Sequence, residues 1–83
     1  MDVKTRFEAA VAASRSLQEQ SNEALLELYS LYKQATQGDA TGDAPGLFDP
    51  VGNAKFMAWK GKTGMSEEDA MVAYADLVEE LGV

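Results

Sequence analysis

Residues 25–36, LLELYSLYKQAT, decide the fold of this chain. Their apolar side chains recur at the spacing of one helix face, at Leu25, Leu28, Tyr32 and Ala35. Tyr29 and Lys33 are four residues apart and so lie on one side of the same helix. A phenol can stack on a planar base or bond to phosphate oxygen, and an ammonium attracts phosphate. Taken alone, the segment fits core tyrosines beside a solvated lysine better than a ligand-binding face.

The composition sets the size and the chemistry of the protein. Its 83 residues predict a single domain over 1–83, and 46% hydrophobic with 25% charged residues is typical of a globular protein. The chain has no cysteine and no histidine, which excludes disulfides, structural zinc, thiol nucleophiles and imidazole bases. Carboxylates, lysines and hydroxyls remain, so an enzyme would lack the commonest catalytic groups.

The net charge of −7 argues against nucleic acid and against anionic membrane surfaces as partners. No apolar run reaches membrane-spanning length, and the N-terminus has no signal-peptide core. We therefore expect a cytoplasmic protein without stable membrane insertion. If its few basic side chains converge, such an acidic protein can still hold a small anion in one pocket.

Four helices follow from the apolar periodicity and the capping residues. The first is predicted over residues 3–18, and the second begins after Ser21 or Asn22 and ends at Gly38. Asp49 and Pro50 predict the start of a third helix that runs to about residue 60. Ser66 caps a fourth helix, whose apolar stripe is Ala70, Tyr74, Leu77 and Leu81.

A long connection separates the second helix from the third. Residues 38–49 hold three glycines and a proline with no sustained period, which is typical of a loop. A loop of this length can cross over and start the next helix in the same direction. We expect Leu47 and Phe48 to tuck this crossover against a core that includes Phe7, Leu28, Trp59 and Leu77. No strand pattern is present, so the fold class is an all-α four-helix bundle.

Two functional motifs fail on inspection. Gly61-Lys62-Thr63 resembles the end of a P-loop, but Phe56 stands where that motif requires a glycine. No aspartate precedes any serine, which excludes the Asp-Ser-Leu attachment motif of the acyl carrier proteins.

The chain resembles the acyl-CoA-binding protein family. The strings that carry the resemblance span almost the whole chain: YSLYKQAT at 29–36, Gly38-Asp39, Pro45-Gly46, AKF at 54–56, Ala58-Trp59, SEEDAM at 66–71 and Tyr74. The resemblance implies an up-down-down-up bundle with the long crossover between helices 2 and 3. It also implies non-covalent binding of acyl-CoA thioesters, and it reverses the interpretation of residues 25–36 in favour of a ligand face.

Roles for individual residues are implied by the same resemblance. Tyr32 would stack near the adenine, and the ribose 3′-phosphate would be surrounded by Tyr29, Lys33 and Lys55. Tyr74 would approach the ligand from the last helix, and Arg15 matches a position usually held by lysine. The acyl chain would lie in a groove around Ala10, Val11 and Leu26.

Two departures affect this transfer of roles. Val51 stands where many relatives carry a basic residue. The segment between Leu17 and Leu25 is one residue shorter than the common form, which affects the placement of Arg15 and Ala10.

The resemblance implies a monomeric carrier that buffers and transports medium- to long-chain fatty acyl-CoA esters and hands them to acyl-CoA-using enzymes. It implies no catalysis, no metal and no cofactor other than the carried ligand. The alternative is a helical protein-interaction module that has lost ligand binding. A weak thioesterase has no nucleophile–base pair to support it.

Overall fold

The computed structural model describes residues 2–43, 46 and 48–82. Four helices form within them: α1 (Val3–Ser14), α2 (Asn22–Gln37), α3 (Pro50–Lys60) and α4 (Glu67–Leu81). The described residues contain no strand, so the predicted all-α class is confirmed. None of these four helices combines the length and the apolar character needed to span a lipid bilayer.

α3 runs in the same direction as α2. The first turns of both helices meet, since Leu26 and Pro50 line one cavity. Their last turns meet as well, because the Trp59 indole N–H donates to the Gly38 carbonyl at 2.8 Å. The connection between α2 and α3 is therefore a crossover, as the length of the loop predicted.

α4 runs opposite to α2 and parallel to α1. Gln34, near the end of α2, donates to the carbonyl of Met65, just before α4 begins. The Phe7 ring of α1 packs against Tyr74 of α4, and Leu17, beyond the end of α1, lies beside Gly82, beyond the end of α4. The topology is thus up-down-down-up.

Capping residues define the helix starts at the predicted positions. Ser21, Asp49 and Ser66 each accept a hydrogen bond from the backbone N–H three residues ahead, at 2.9–3.1 Å. Pro50 occupies the first position of α3, where its missing N–H costs nothing. Gly38 ends α2 with a φ of +77°, a conformation that favours glycine.

The predicted extent of α1 was wrong at its C-terminal end. The helix ends at Ser14, four residues before the expected boundary. The Ser14 hydroxyl donates to the Val11 carbonyl, and the N–H groups of Arg15, Ser16 and Leu17 donate to carbonyls three residues back. This tightened turn redirects the chain before residue 18, because i→i+3 bonds do not continue an α-helix.

The core lies between α1, α2 and α4. Its buried apolar residues are Phe7, Ala10, Leu28, Leu31, Ala35, Ala70, Tyr74, Ala75 and Val78. None of the residues of α3 is buried, so this helix covers one side of α2 without entering the core. Leu77 is half-buried against the core, whereas Trp59 is half-buried in the α2–α3 contact.

The expectation for the crossover was wrong at Phe48. Its side chain is fully exposed, because the local turn is closed by a backbone bond from Asp49 N–H to the Gly46 carbonyl and needs no core contact. Leu47, the other residue expected to tuck against the core, lies outside the described residues.

Candidate functional site

All three tyrosines of the chain line one open cavity of about 530 Å³. Tyr29 and Tyr32 come from α2, and Tyr74 comes from α4. The opposite wall is the loop between α1 and α2, which contributes residues 17–20. The early end of α1 creates this wall, since the chain would otherwise continue as a helix past the cavity.

A cluster of aromatic rings fixes the floor of this cavity. The Phe7 ring lies 5.2 Å from Tyr74 and 6.1 Å from Tyr32, and the two tyrosines are 6.3 Å apart, all in edge-to-face geometry. Phe7 and Tyr74 are buried, whereas Tyr32 remains 39% exposed. Tyr32 is therefore held by its neighbours while part of its ring stays open to a ligand.

A second cavity of about 360 Å³ lies between the first turns of α2 and α3. It shares Asn22 and Leu25 with the first cavity, so the two adjoin. The rest of its lining is Leu26, Pro50, Val51, Ala54 and Lys55. Leu25 is 51% exposed where the two cavities meet. The first cavity is lined by aromatic and polar side chains, and the second mostly by apolar ones.

Two lysines face aromatic rings where α2 meets α3. The Lys55 ammonium lies 5.3 Å from the centre of the Tyr29 ring, and the Lys33 ammonium lies 4.9 Å from the Trp59 ring. Neither ammonium forms a salt bridge to any carboxylate of the described residues. Lys62, by contrast, pairs with Glu27 at 2.8 Å. Lys33 and Lys55 therefore keep their charge available to an anion.

A hydrogen-bonded cluster joins the ends of α2 and α3. The carboxylate of Asp39 accepts from Gly64 N–H at 3.0 Å and from the Gln34 side-chain amide at 2.8 Å. These two bonds, the one from Gly64 first, hold the pKa of Asp39 below its ordinary value. Within the described part of the chain, no group of three or more acidic, cysteine or histidine side chains is arranged to hold a metal ion.

The structure brings together six of the nine site residues predicted from the sequence. Tyr29, Tyr32 and Tyr74 line the first cavity, Leu26 and Lys55 line the second, and Lys33 lies one helical turn beyond Tyr29.

Three predicted residues lie elsewhere. Ala10 is buried in the core, Val11 packs against that core, and Arg15 is exposed; none of the three is part of the lining of either cavity. A role for these three in ligand binding stays a prediction.

Sequence reasoning missed several residues of the lining. Leu25 was assigned to the apolar face of the second helix, and Leu17 fell within the longer first helix that was predicted. Pro50 and Ala54 were not considered as lining residues. The sequence held no clear signal for them, because the apolar face of a helix is wide enough to bury adjacent residues, as Tyr74 and Ala75 show.

A family model described as "Acyl CoA binding protein" matches residues 4–78. The chain belongs to the acyl-CoA-binding protein family. As a member of it, the chain is 50% identical over 76 residues to "Acyl-CoA-binding protein homolog 1" of Caenorhabditis elegans, covering 88% of that protein and 90% of its own length. It is 47% identical to the "Acyl-CoA-binding protein homolog" of Manduca sexta, of which it covers 92% with 98% of its own length.

Solved structures of the family share the fold. The acyl-CoA-binding protein 2 of Oryza sativa matches with a TM-score of 0.92 at 40% identity, over 95% of this chain and 87% of that one. Other relatives are much longer: "Acyl-CoA-binding domain-containing protein 5" of Xenopus tropicalis is 47% identical over 94% of this chain, which spans only 18% of its length.

Proposed function

We propose that this protein binds medium- to long-chain fatty acyl-CoA esters non-covalently, buffers them and carries them, without chemistry of its own. One observation carries the proposal: three tyrosines, and two lysines that pair with no carboxylate of the described residues, meet beside two adjoining cavities, one aromatic and one apolar. The names of the relatives, which are acyl-CoA-binding proteins, support the same ligand.

The nucleotide end of the ligand fits the first cavity. The exposed part of Tyr32 offers a face for the adenine, and base–aromatic stacking contributes about 1–3 kcal/mol. A phosphate monoester carries nearly two negative charges at neutral pH. Tyr29, Lys33 and Lys55 would surround such a group at the ribose 3′ position, and hydrogen bonds to charged groups contribute about 1.5–3 kcal/mol each.

The acyl end fits the second cavity. A chain that passes Leu25 enters a groove walled by Leu26, Val51 and Ala54, between α2 and α3. Each methylene removed from water there contributes about 0.8 kcal/mol. This path keeps Leu26 from the sequence expectation but replaces its α1 residues, Ala10 and Val11, with residues of α3. Long chains are then preferred until the groove ends.

The carrier role follows from binding without catalysis. The proposed protein acts as a cytoplasmic monomer that takes up an acyl-CoA ester and releases it to acyl-CoA-using enzymes. The net charge of −7 argues against nucleic acid and anionic membranes as further partners.

Thermal unfolding with and without palmitoyl-CoA tests the proposal. A ligand that binds only the folded state at 100 times its Kd stabilises that state by about 2.7 kcal/mol, so the melting temperature rises. Free CoA, which lacks the acyl chain, gives a smaller rise at the same concentration. No rise with palmitoyl-CoA would favour the alternative, an interaction module that has lost its ligand. Release of free thiol from acyl-CoA would instead indicate a thioesterase.

A further inference from the structure

Two cation–aromatic contacts join α2 to α3, and each helix supplies the ring in one contact and the ammonium in the other. Tyr29 and Lys33 are four residues apart on α2, and Lys55 and Trp59 are four residues apart on α3. Because the two helices are parallel, Tyr29 faces Lys55, and Lys33 faces Trp59 one turn further on. Each helix thus supplies one ring and one ammonium to a short ladder.

The ring of Trp59 is fixed independently of Lys33. Its indole N–H donates to the Gly38 carbonyl at 2.8 Å, and Phe56 packs against it edge-to-face at 6.4 Å. Gly38 is the C-cap of α2, so the bond ties the indole to the end of the helix that carries Lys33. The indole face therefore presents a surface of defined position to the Lys33 ammonium, 4.9 Å away.

A ring face holds a cation differently from a carboxylate. The chain has 14 acidic residues and 7 basic ones, and Lys62 shows how readily a lysine finds an acidic partner, pairing with Glu27 at 2.8 Å. A carboxylate neutralises its partner, and an anionic ligand must then displace it. A ring quadrupole attracts the ammonium more weakly and leaves its charge intact.

We propose that Trp59 is a positioning residue: its indole face holds the Lys33 ammonium, which pairs with no carboxylate of the described residues, in place for the phosphate monoester of the ligand. This inference rests on the proposed function, because it assigns a partner to a lysine of the proposed phosphate site. Trp59 was expected from the sequence to be a core residue. Trp59 is half-buried between Gly38 and Lys33. By holding Lys33 in place, it contributes to selectivity for a ligand with a phosphorylated ribose.

The measured quantity is the ratio of dissociation constants for 3′-dephospho-dodecanoyl-CoA and dodecanoyl-CoA. Trp59→Leu removes the ring face, and this ratio falls about two- to fivefold, the change expected from one exposed cation–π contact. Trp59→Phe keeps an aromatic face with a weaker quadrupole, and the fall is smaller. Lys33→Met removes the charge, and the ratio falls at least as far as with Trp59→Leu.

A double-mutant cycle separates positioning from general packing. In the Lys33→Met background, Trp59→Leu leaves the ratio unchanged, because no ammonium remains to be positioned. A fall of the same size with and without Lys33 overturns the inference. So does an equal loss of affinity for both ligands in the single Trp59 variants, which is what a purely structural role produces. Trp59→Phe answers the question if Trp59→Leu fails to fold.

Failure of the proposed function has a different signature. If the unaltered protein binds neither ligand, both the proposed function and this inference fall. If it binds both and Lys33→Met leaves the ratio unchanged, the assignment of Lys33 to the phosphate falls and this inference with it, while acyl-CoA binding stands. If Lys33→Met lowers the ratio and Trp59→Leu does not, this inference alone falls.

Discussion

At the scale of single residues, Lys55 is the side chain on which the proposed phosphate site depends most. Its ammonium faces Tyr29 and has no carboxylate partner among the described residues, so Lys55→Ala removes a whole charge. We expect dodecanoyl-CoA to bind about 10- to 100-fold more weakly, from one charge-assisted contact of about 1.5–3 kcal/mol. Tyr29→Phe removes a hydroxyl that donates to the same charged group, so it should weaken binding by a comparable factor. Isothermal titration calorimetry measures both.

The matched control is Lys60→Ala, which removes an exposed lysine from the last turn of the same helix. Its affinity should stay close to that of the unaltered protein. The 3′-dephospho ligand should lose much less than dodecanoyl-CoA in the Lys55 and Tyr29 variants. Equal losses for the two ligands would refute the placement of the phosphate.

A second residue-scale prediction concerns acid stability at Asp39. Its pKa in the folded protein is lowered from the ordinary 3.8 by the bonds from Gly64 and Gln34. A lowered folded pKa means that the unfolded chain binds the proton more tightly, so the carboxylate stabilises the fold above about pH 4. This contribution is lost as the pH falls through the folded pKa. Asp39→Asn should therefore be less stable than the unaltered protein at pH 7, with the difference shrinking towards pH 2.5.

Urea unfolding between pH 2.5 and pH 7 measures that difference. Asp43→Asn is the control, because Asp43 is exposed in the same loop. A gap for Asp39→Asn that stays constant over the whole pH range would contradict the assigned role, since a lost packing contact has no pH dependence.

At the scale of the helices, the cap of α4 is the most direct test of the local structure. The Ser66 hydroxyl accepts from Asp69 N–H at 3.0 Å, and three acidic residues follow in the first turn. Ser66→Ala leaves that N–H without its partner and should lower the free energy of unfolding by about 1 kcal/mol. Ser66→Asn retains an acceptor and should lose much less. Equal losses in chemical denaturation would show that the side-chain bond contributes nothing.

The helix starts were predictable from sequence because their causes are local. Ser21, Asp49 with Pro50, and Ser66 each act on N–H groups within three residues, so the sequence holds all the information. The end of α1 was not predictable in this way. The alanines at 9, 10, 12 and 13 favour a helix, and no glycine or proline in residues 14–18 marks its end. The chain nevertheless leaves the helix through a turn whose Leu17 packs beside Gly82, far away in sequence.

The candidate site was likewise predictable only in part from the sequence. The YSLYKQAT string predicted Tyr29, Tyr32 and Lys33 through a resemblance, and the structure gathers them with Lys55 and Tyr74 in one region. The apolar cavity was missed because it lies between the first turns of two helices that are distant in sequence. No periodicity within α2 or α3 reports the space between them. Phe48 was misplaced for a related reason, since the hydrophobicity of a loop residue does not reveal whether a core lies within reach.

At the scale of the whole molecule, the parallel arrangement of α2 and α3 produces the site. An antiparallel pair would bring the first turn of α3 to the last turn of α2, so Pro50 could not line a groove with Leu26. The crossover instead brings the first turns of α2 and α3 together, and their last turns together. The apolar groove and the two lysines therefore lie one after another along the contact between these helices. The core between α1, α2 and α4 lies on the other side of α2, and α3 contributes nothing buried to it. Substitutions that face the groove should therefore change binding more than stability.

Chain-length dependence tests this arrangement. If the acyl chain occupies the groove, two added methylenes contribute about 1.6 kcal/mol, and affinity rises about tenfold per step from octanoyl- to dodecanoyl-CoA.

Ala54 lines the groove and is exposed, so Ala54→Phe fills the groove without disturbing the core. The variant should bind octanoyl-CoA nearly as well as the unaltered protein does and gain much less with each added pair of carbons. Ala9→Phe, at an exposed position on α1 outside both cavity linings, adds the same ring elsewhere and should keep the full dependence. An unchanged slope in Ala54→Phe would place the acyl chain outside the α2–α3 groove, and a flattened slope in Ala9→Phe would return it to α1.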